Sequence, residues 1–324
     1  MTDTTGHTTG IWNRLLETLR HPVASISLVL LALWVVLAAI SPYFLTLNNI
    51  LEITLQASVT AILAAGVSLV IFAGAIDLSV GSIFAFSAVA GGVLYHATGS
   101  VAASLAASIA AGCLVGILNG LAVVVFRIPS FVVTLGMMGI ARGFAYIICD
   151  GIPIYGIPPS YTWIGQEKIL GVIPVPTVIT VVLFIIFHLM LKYVRFGRFT
   201  YAIGSNAEAA RLSGIKVGKM IPLIFMICGG CAALAGIIES ARLGTMQPNG
   251  GQGYELFAIG AVFIGGASIS GGEGHIFATL VGALLVTTIR NGLNIIGVNA
   301  FYQYVANGVI IIAAVALDQA RKRS

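Results

Sequence analysis

Few residues in this 324-residue chain could do chemistry, since only 8% of it is Asp, Glu, Lys or Arg. Cys228-Gly-Gly-Cys231 sets two thiols at i and i+3, one face of a helix, where they could meet a metal or each other. A structural zinc takes four ligands, and no second Cys or His pair lies near. Tight packing of small residues between helices is the favoured reading. Asp77 is a carboxylate inside an apolar stretch, where an ionisable group is costly and functional by default. It reads either as a proton relay or as the N-cap of the segment that follows, and its place at a segment boundary favours the cap. Glu239 and Arg242, also i and i+3, suit a mutual ion pair. Arg290 must face either a water-filled path or helix carbonyls. The run GGASISGGEG (265–274) lacks the Lys and hydroxyl of a phosphate loop, so nucleotide chemistry belongs to another polypeptide. No Ser/His or His/Asp/Glu constellation converges on one interface, which ranks an enzyme last.

The elements that carry these residues are membrane spans. The chain is 58% hydrophobic, with a mean hydropathy of +1.04. Apolar runs near the ~20 residues needed to cross a ~30 Å hydrocarbon core recur along it. They fall at about 23–41, 51–73, 78–97, 101–126, 129–149, 174–194, 220–241, 254–269, 275–296 and 300–318. The reading is an all-α polytopic membrane protein of about ten transmembrane helices. The weakest divisions are at 73–78 and 269–275, where the connectors are short. The first apolar run follows Arg14 and Arg20 but lacks a cleavage site, so it is an uncleaved span. The four cysteines lie in or beside apolar segments, which argues against a secreted disulfide framework. The net charge of +5 is too small and dispersed for nucleic acid.

Ten spans with a cytoplasmic N-terminus return the C-terminus to the cytoplasm. That arrangement places twelve Lys and Arg inside against Lys168 and Arg242 outside, with Arg142 and Arg290 within spans. The bias fits the positive-inside rule, and moving the count by one span would spoil it. The chain divides into a cytoplasmic segment 1–22, a transmembrane domain 23–318 with a cytoplasmic loop 195–219, and a basic tail 319–324. Asn119-Gly120-Leu121 late in the fourth span is echoed by Asn291-Gly292-Leu293 late in the ninth. Spans 2–5 and 7–10 are thus candidates for an inverted repeat, a common transporter plan.

The charge gathers in 192–219, with six bases and one glutamate. Asn206 is a good N-cap, Glu208 falls in the first turn, Ala209, Ala210 and Arg211 favour helix, and Gly214 stops it. A helix of two turns is not stable alone in water. It rests on headgroups or docks on a partner, and local physics leaves these even, with the small Ala209-Ala210 face permitting close approach.

EAARLSG (208–214) fits the E-A-A-x-x-x-G signature of the coupling loop in permease subunits of bacterial ATP-binding-cassette importers. GAIDLSVGSIFAFSA (74–88), IPSFVVTLGMMGIARG (128–143), RFGRFTYAIGSNAEAARLSGI (195–215) and GYELFAIGAVFIGGASISGG (253–272) resemble the ribose-type branch of that family. The resemblance runs from about residue 22 to 318. Ala75 departs from the Gly frequent there. The resemblance implies a bacterial inner-membrane subunit without a cofactor. It also implies docking of cytoplasmic ATPase subunits on Asn206, Glu208, Ala209, Ala210, Arg211 and Gly214. A second permease, either another copy of this chain or a related one, and a periplasmic sugar-binding protein complete the assembly. The transported solute would be a monosaccharide, ribose-like or related. A proton- or sodium-coupled transporter using Asp77 is the alternative, and it would work without an ATPase.

Gln56, Asn119, Thr134, Asn291, Asn294 and Gln303 could line a sugar path, although hydrogen bonding between helices serves each equally well or better. The exterior segment Asp150–Ile173 carries Tyr155, Tyr161 and Trp163 among prolines. It reads as an interfacial aromatic belt. The second reading makes Glu167, Lys168 and Arg242 the dock for a binding protein.

Overall fold

The computed structural model describes residues 22–299 together with 301, 302, 305, 308, 309, 312 and 316. Among these are twelve helices, of which eight are long and apolar enough to cross a membrane. In chain order the elements are α1 (Pro22–Ile40), α2 (Leu47–Phe72), α3 (Val80–Thr98), α4 (Val101–Phe126), α5 (Ser130–Ile147), α6 (Pro159–Gln166), β1 (Lys168–Ile169), β2 (Ile173–Pro174), α7 (Val175–Tyr193), α8 (Arg195–Ser205), α9 (Ala207–Leu212), α10 (Val217–Leu243), α11 (Tyr254–Ile264) and α12 (Ile276–Ile295). Most of the expected tenth span, Gln303 within it, and the basic tail lie outside the described residues.

One expectation changes. The eighth apolar run is a helix of 11 residues, about 16 Å at 1.5 Å per residue and too short to cross alone. Glycines at 250–253 and 265–266 limit it: Gly251, Gly253 and Gly266 all adopt positive φ, open to Gly without strain. The two connectors that looked weakest in sequence are therefore real breaks rather than short turns. Residues 73–79 and 265–275 carry no helix.

α2 and α10 form the centre, enclosed along most of their length, while α1 lies at the periphery. Their packing uses small residues, as expected where lipid supplies no hydrophobic drive between helices. Gly112, Gly116 and Gly120 of α4 meet the backbone of α10 at Gly229, Phe225 and Pro222, where a Cβ on α4 would find no room. Cys228 and Cys231 sit in the seam of α10 on α2, against Gly66, as free buried thiols.

The helix pairing exchanges between the two halves of the chain. α4 packs on α10 as α12 packs on α2, and α3 packs on α10 as α11 packs on α2. The Asn-Gly-Leu echo does not share that symmetry. Asn119 Nδ2 donates to Ser79 Oγ at 2.8 Å and Gly120 meets Pro222, whereas Asn291 pairs with Asn49 and Gly292 meets Leu37 of α1.

Candidate functional site

α9 is a capped helix that projects from the bundle. Asn206 adopts extended backbone, and its side chain accepts the N–H of Ala209 at 2.9 Å. At the other end Ile215 N donates to Ala210 O at 3.0 Å and Gly214 N to Arg211 O at 3.0 Å. Gly214 sits at φ +86°, where only glycine is unstrained, with open space around it. Glu208 takes both contacts from the Arg211 guanidinium, Nε at 2.9 Å. That hydrogen-bonded pairing holds the Glu208 carboxyl below its ordinary value, and Glu208 in turn raises Arg211. Residues 205–209 and 211–214 are exposed, with Leu212 at 75%. Ala210 is instead buried: it anchors the helix to the bundle, and the presented face is Ala207, Glu208, Arg211 and Leu212.

α8 fastens α9 to the interior. Its sequence alternates polar and apolar residues at helical spacing, so Thr200 and Ile203 turn inward. Tyr201 stacks on Phe72 with ring centroids 5.3 Å apart, and its hydroxyl donates to Gly274 O at 3.0 Å. Burial pushes that phenol up to about 12, so it remains a donor at every physiological pH. Gly204 lies against the Phe72 carbonyl and the Gly272 amide, Gly271 lies over Gly74, and Gly272 meets Ser205. Four glycines thus join the end of α8 to the end of α2 and to the loop after α11, with Gly272 N donating to Phe72 O at 3.0 Å. From this junction the two non-helical segments lead back into the bundle, 73–79 to α3 and 265–275 to α12.

Asp77 does not cap α3. The helix begins at Val80 with Ser79 as its N-cap residue, and Asp77 Oδ1 accepts the Ser79 N–H at 2.8 Å and the Ser79 hydroxyl at 2.6 Å. This Asx turn is fully buried and continues to Asn119, while Ile76 N donates to Ser130 Oγ at 3.0 Å. Thr134 donates to Ser130 O at 2.9 Å and meets Ile76 O at 3.3 Å. Asn119 and Thr134 therefore hold the 73–79 segment and are fully buried. Gln56 donates to Glu52 at 2.8 Å on its own helix. Asn294 is exposed near the outer end of α12. Among the described members of the expected path, Asn119 and Thr134 are thus bonded to the non-helical 73–79 segment, and Asn291 of α12 to Asn49 of α2.

On the other face, α6 packs on α10. Tyr161 is fully buried, not part of an aromatic belt, and its hydroxyl lies 2.9 Å from Ser240 Oγ. Trp163 and Tyr155 are exposed. Glu167 and Lys168 stand exposed beside the β1–β2 hairpin. Arg242 pairs with Glu239 at 2.8 Å, as its spacing suggests, and with Glu52 at 3.7 Å, so most of its bonding capacity is spent inside the chain. The half-buried Arg290 guanidinium lies 4.4 Å over the Phe257 ring and 6.0 Å over Tyr254.

Sequence reasoning passed over Arg142. Its Nη1 donates to Pro248 O at 2.8 Å and Gly250 O at 2.7 Å, and its Nη2 to Gly81 O at 3.1 Å. The available signal was its charge within a span, which ordinarily marks function.

Residues 49–315 match the family described as branched-chain amino acid transport system, permease component. The chain is 41% identical to the ribose import permease of Escherichia coli K12 over 301 residues, covering 90% of this chain and 92% of that protein. It is 43% identical to the ribose import permease of Bacillus subtilis 168 over 298 residues, covering 91% of each. The L-arabinose transport system permease of Escherichia coli K12 is 38% identical over 292 residues, 90% of this chain and 89% of that one. No solved structure matches the chain. The polytopic bundle and similarity along nine-tenths of the sequence agree: the chain belongs to this family of transport-system permease components.

Proposed function

We propose that the chain is the membrane subunit of an ATP-driven importer of a monosaccharide, a ribose-like pentose or a related sugar. The observation that carries the coupling role is α9, an exposed capped helix with no large apolar face to seat it in lipid. In this reading an ATPase subunit grips Ala207, Glu208, Arg211 and Leu212 across the cap, and Asn206 and Gly214 keep the helix in shape. Closure of the ATPases moves α8 with α9, and the glycine junction passes that motion to the segments that begin α3 and α12. The path then faces alternately outward and inward. A second permease, a copy of this chain, completes the path, and a binding protein delivers the sugar to the outer face, where Glu167 and Lys168 are available.

Glu208→Lys and Gly214→Val test the assignment. Both should weaken co-purification with the ATPase at least fivefold and lower uptake in step, with permease abundance unchanged. Normal association and uptake in both would remove α9 from the coupling surface. The proton-coupled alternative predicts uptake by this chain alone, abolished by an uncoupler. One Asp77 oxygen closes a buried turn and the other has no hydrogen-bond partner among the described residues, so it is substitution at Asp77, not its burial, that separates the two readings.

A further inference from the structure

α3 and α11 both begin inside the bundle. α4 has 26 residues and α3, which packs along it from the outer turn, has 19. At 1.5 Å per residue α3 therefore starts about 10 Å short of the cytoplasmic end of α4. α11 starts just after the loop 244–253, and that loop reaches down to the same place: Gly81 lies against the Gly251 carbonyl and the Glu255 carboxylate. Arg142 ties the two starts together through its three carbonyl contacts.

Beside this joint lies a recess of about 310 Å³ lined by Ser82, Gly139, Arg142, Tyr146, Gln252 and Glu255. Ser82 is 1% exposed, and its hydroxyl has no hydrogen-bond partner among the described residues. A buried hydroxyl without a partner costs about 1–3 kcal/mol, so its retention calls for a partner from outside the chain. The recess opens along α5, where Gly136, Gly139 and Gly143 share one face and a Cβ on any of them would meet nothing within 4 Å. A guanidinium and a carboxylate at this depth are incompatible with bare lipid: Arg142 spends its donors on three backbone carbonyls, and Glu255 lines the recess.

The lining offers guanidinium and amide N–H donors, carboxylate and amide acceptors, and two hydroxyls that do both. Glu255 makes the site a poor one for an anion and Arg142 a poor one for a cation. A neutral ligand rich in hydroxyls matches it. The volume is at the small end of ligand sites and suits a single sugar ring. Transporters place such sites near the midplane where interrupted helices of two repeats meet. We propose that this recess is the mid-membrane contact site for the monosaccharide, with Ser82, Gln252 and Glu255 touching its hydroxyls and Arg142 positioning the two helix starts. The proposal rests on the import reading above.

The test uses the complete complex of permease, ATPase and binding protein in vesicles, with uptake of D-ribose, L-arabinose and D-allose measured. Gly139→Leu fills the recess from a position where a side chain meets no part of the chain, and should lower uptake at least tenfold in complexes that still assemble. Ser82→Ala removes one buried oxygen, leaves the outer surface as it was, and should lower uptake at least threefold. Glu255→Gln keeps the shape and should fall with Ser82→Ala. If the parent carries one of the sugars and Ser82→Ala and Glu255→Gln carry it as well as the parent, the recess is not a sugar site. If the parent hydrolyses ATP but carries none of the three, the sugar reading and this proposal fall together.

Discussion

At the residue scale, the decisive question is what each buried polar group is bonded to. Asp77 does not cap α3: one oxygen closes a turn on Ser79, Asn119 secures that serine from the neighbouring helix, and the other oxygen has no hydrogen-bond partner among the described residues. Asparagine would preserve the accepting oxygen and alanine would not. Asp77→Asn should therefore retain uptake within about twofold, while Asp77→Ala leaves the Ser79 N–H and hydroxyl unpaired and costs about 1–3 kcal/mol, seen as a lower melting temperature and less permease in the membrane. A proton relay requires the opposite, with Asp77→Asn as damaging as Asp77→Ala. The exposed Glu208–Arg211 pair makes a pH statement. Glu208 has its value lowered in the folded chain from 4.5, so the pairing is complete above pH 4.5 and is lost only as pH falls through the lowered value. ATPase association measured from pH 5.5 to 8 should show no inflection from this pair, and one near pH 6 would assign the surface to another group.

At the scale of elements, glycine decides where helices stop and where they touch. Gly204 has backbone on both sides, the Phe72 carbonyl and the Gly272 amide, while Gly136 on α5 has open space. Adding one methyl should thus separate them. Gly204→Ala overpacks the junction and should cost about 1–3 kcal/mol in thermal unfolding of the purified permease, whereas Gly136→Ala should change it by no more than about 0.5 kcal/mol. Equal melting of the two variants would mean that the junction is looser than described. The same glycines explain how far the sequence could be read. Eight of the spans announce themselves by length and hydropathy, because a run such as Val101–Phe126 has no other stable use. The six-residue helix α9 is equally legible, since Asn206, Glu208 and Gly214 are each the residue type their position requires. The interrupted segments are not legible by hydropathy. Residues 254–269 are apolar enough for a span, yet only 254–264 coil, and the Gly-rich turns at each end decide it. The recess was missed for a related reason: Ser82, Gly139, Arg142 and Glu255 come from three elements, and only the return of the 244–253 loop into the bundle brings them together.

At the scale of the whole molecule, the charge and the packing imply one orientation in the membrane. Arg195, Arg198, Arg211 and Lys216 belong to α8, α9 and the turn that follows, and Lys219 to the first turn of α10, all at one end of the bundle. α6 and the loop before it cover the other end of α10, through Tyr161–Ser240 and the Ile154–Met246 bridge. A basic cluster near anionic headgroups is favourable on the cytoplasmic leaflet and has no such partner outside. The end carrying α9 is therefore expected in the cytoplasm and the end carrying α6 outside. Two exposed positions report on this, Ser160 on α6 and Leu212 on α9. Cys149, a free thiol near the outer end of α5, would react in the same assay and is first changed to serine. In intact cells that lack the ATPase partner, so that nothing covers α9, a membrane-impermeant thiol reagent should then label Ser160→Cys and spare Leu212→Cys, and permeabilisation should expose both. Labelling of Leu212→Cys before permeabilisation would invert the molecule. It would put the coupling helix on the side without ATP and so remove the physical basis for driving the bundle from that surface.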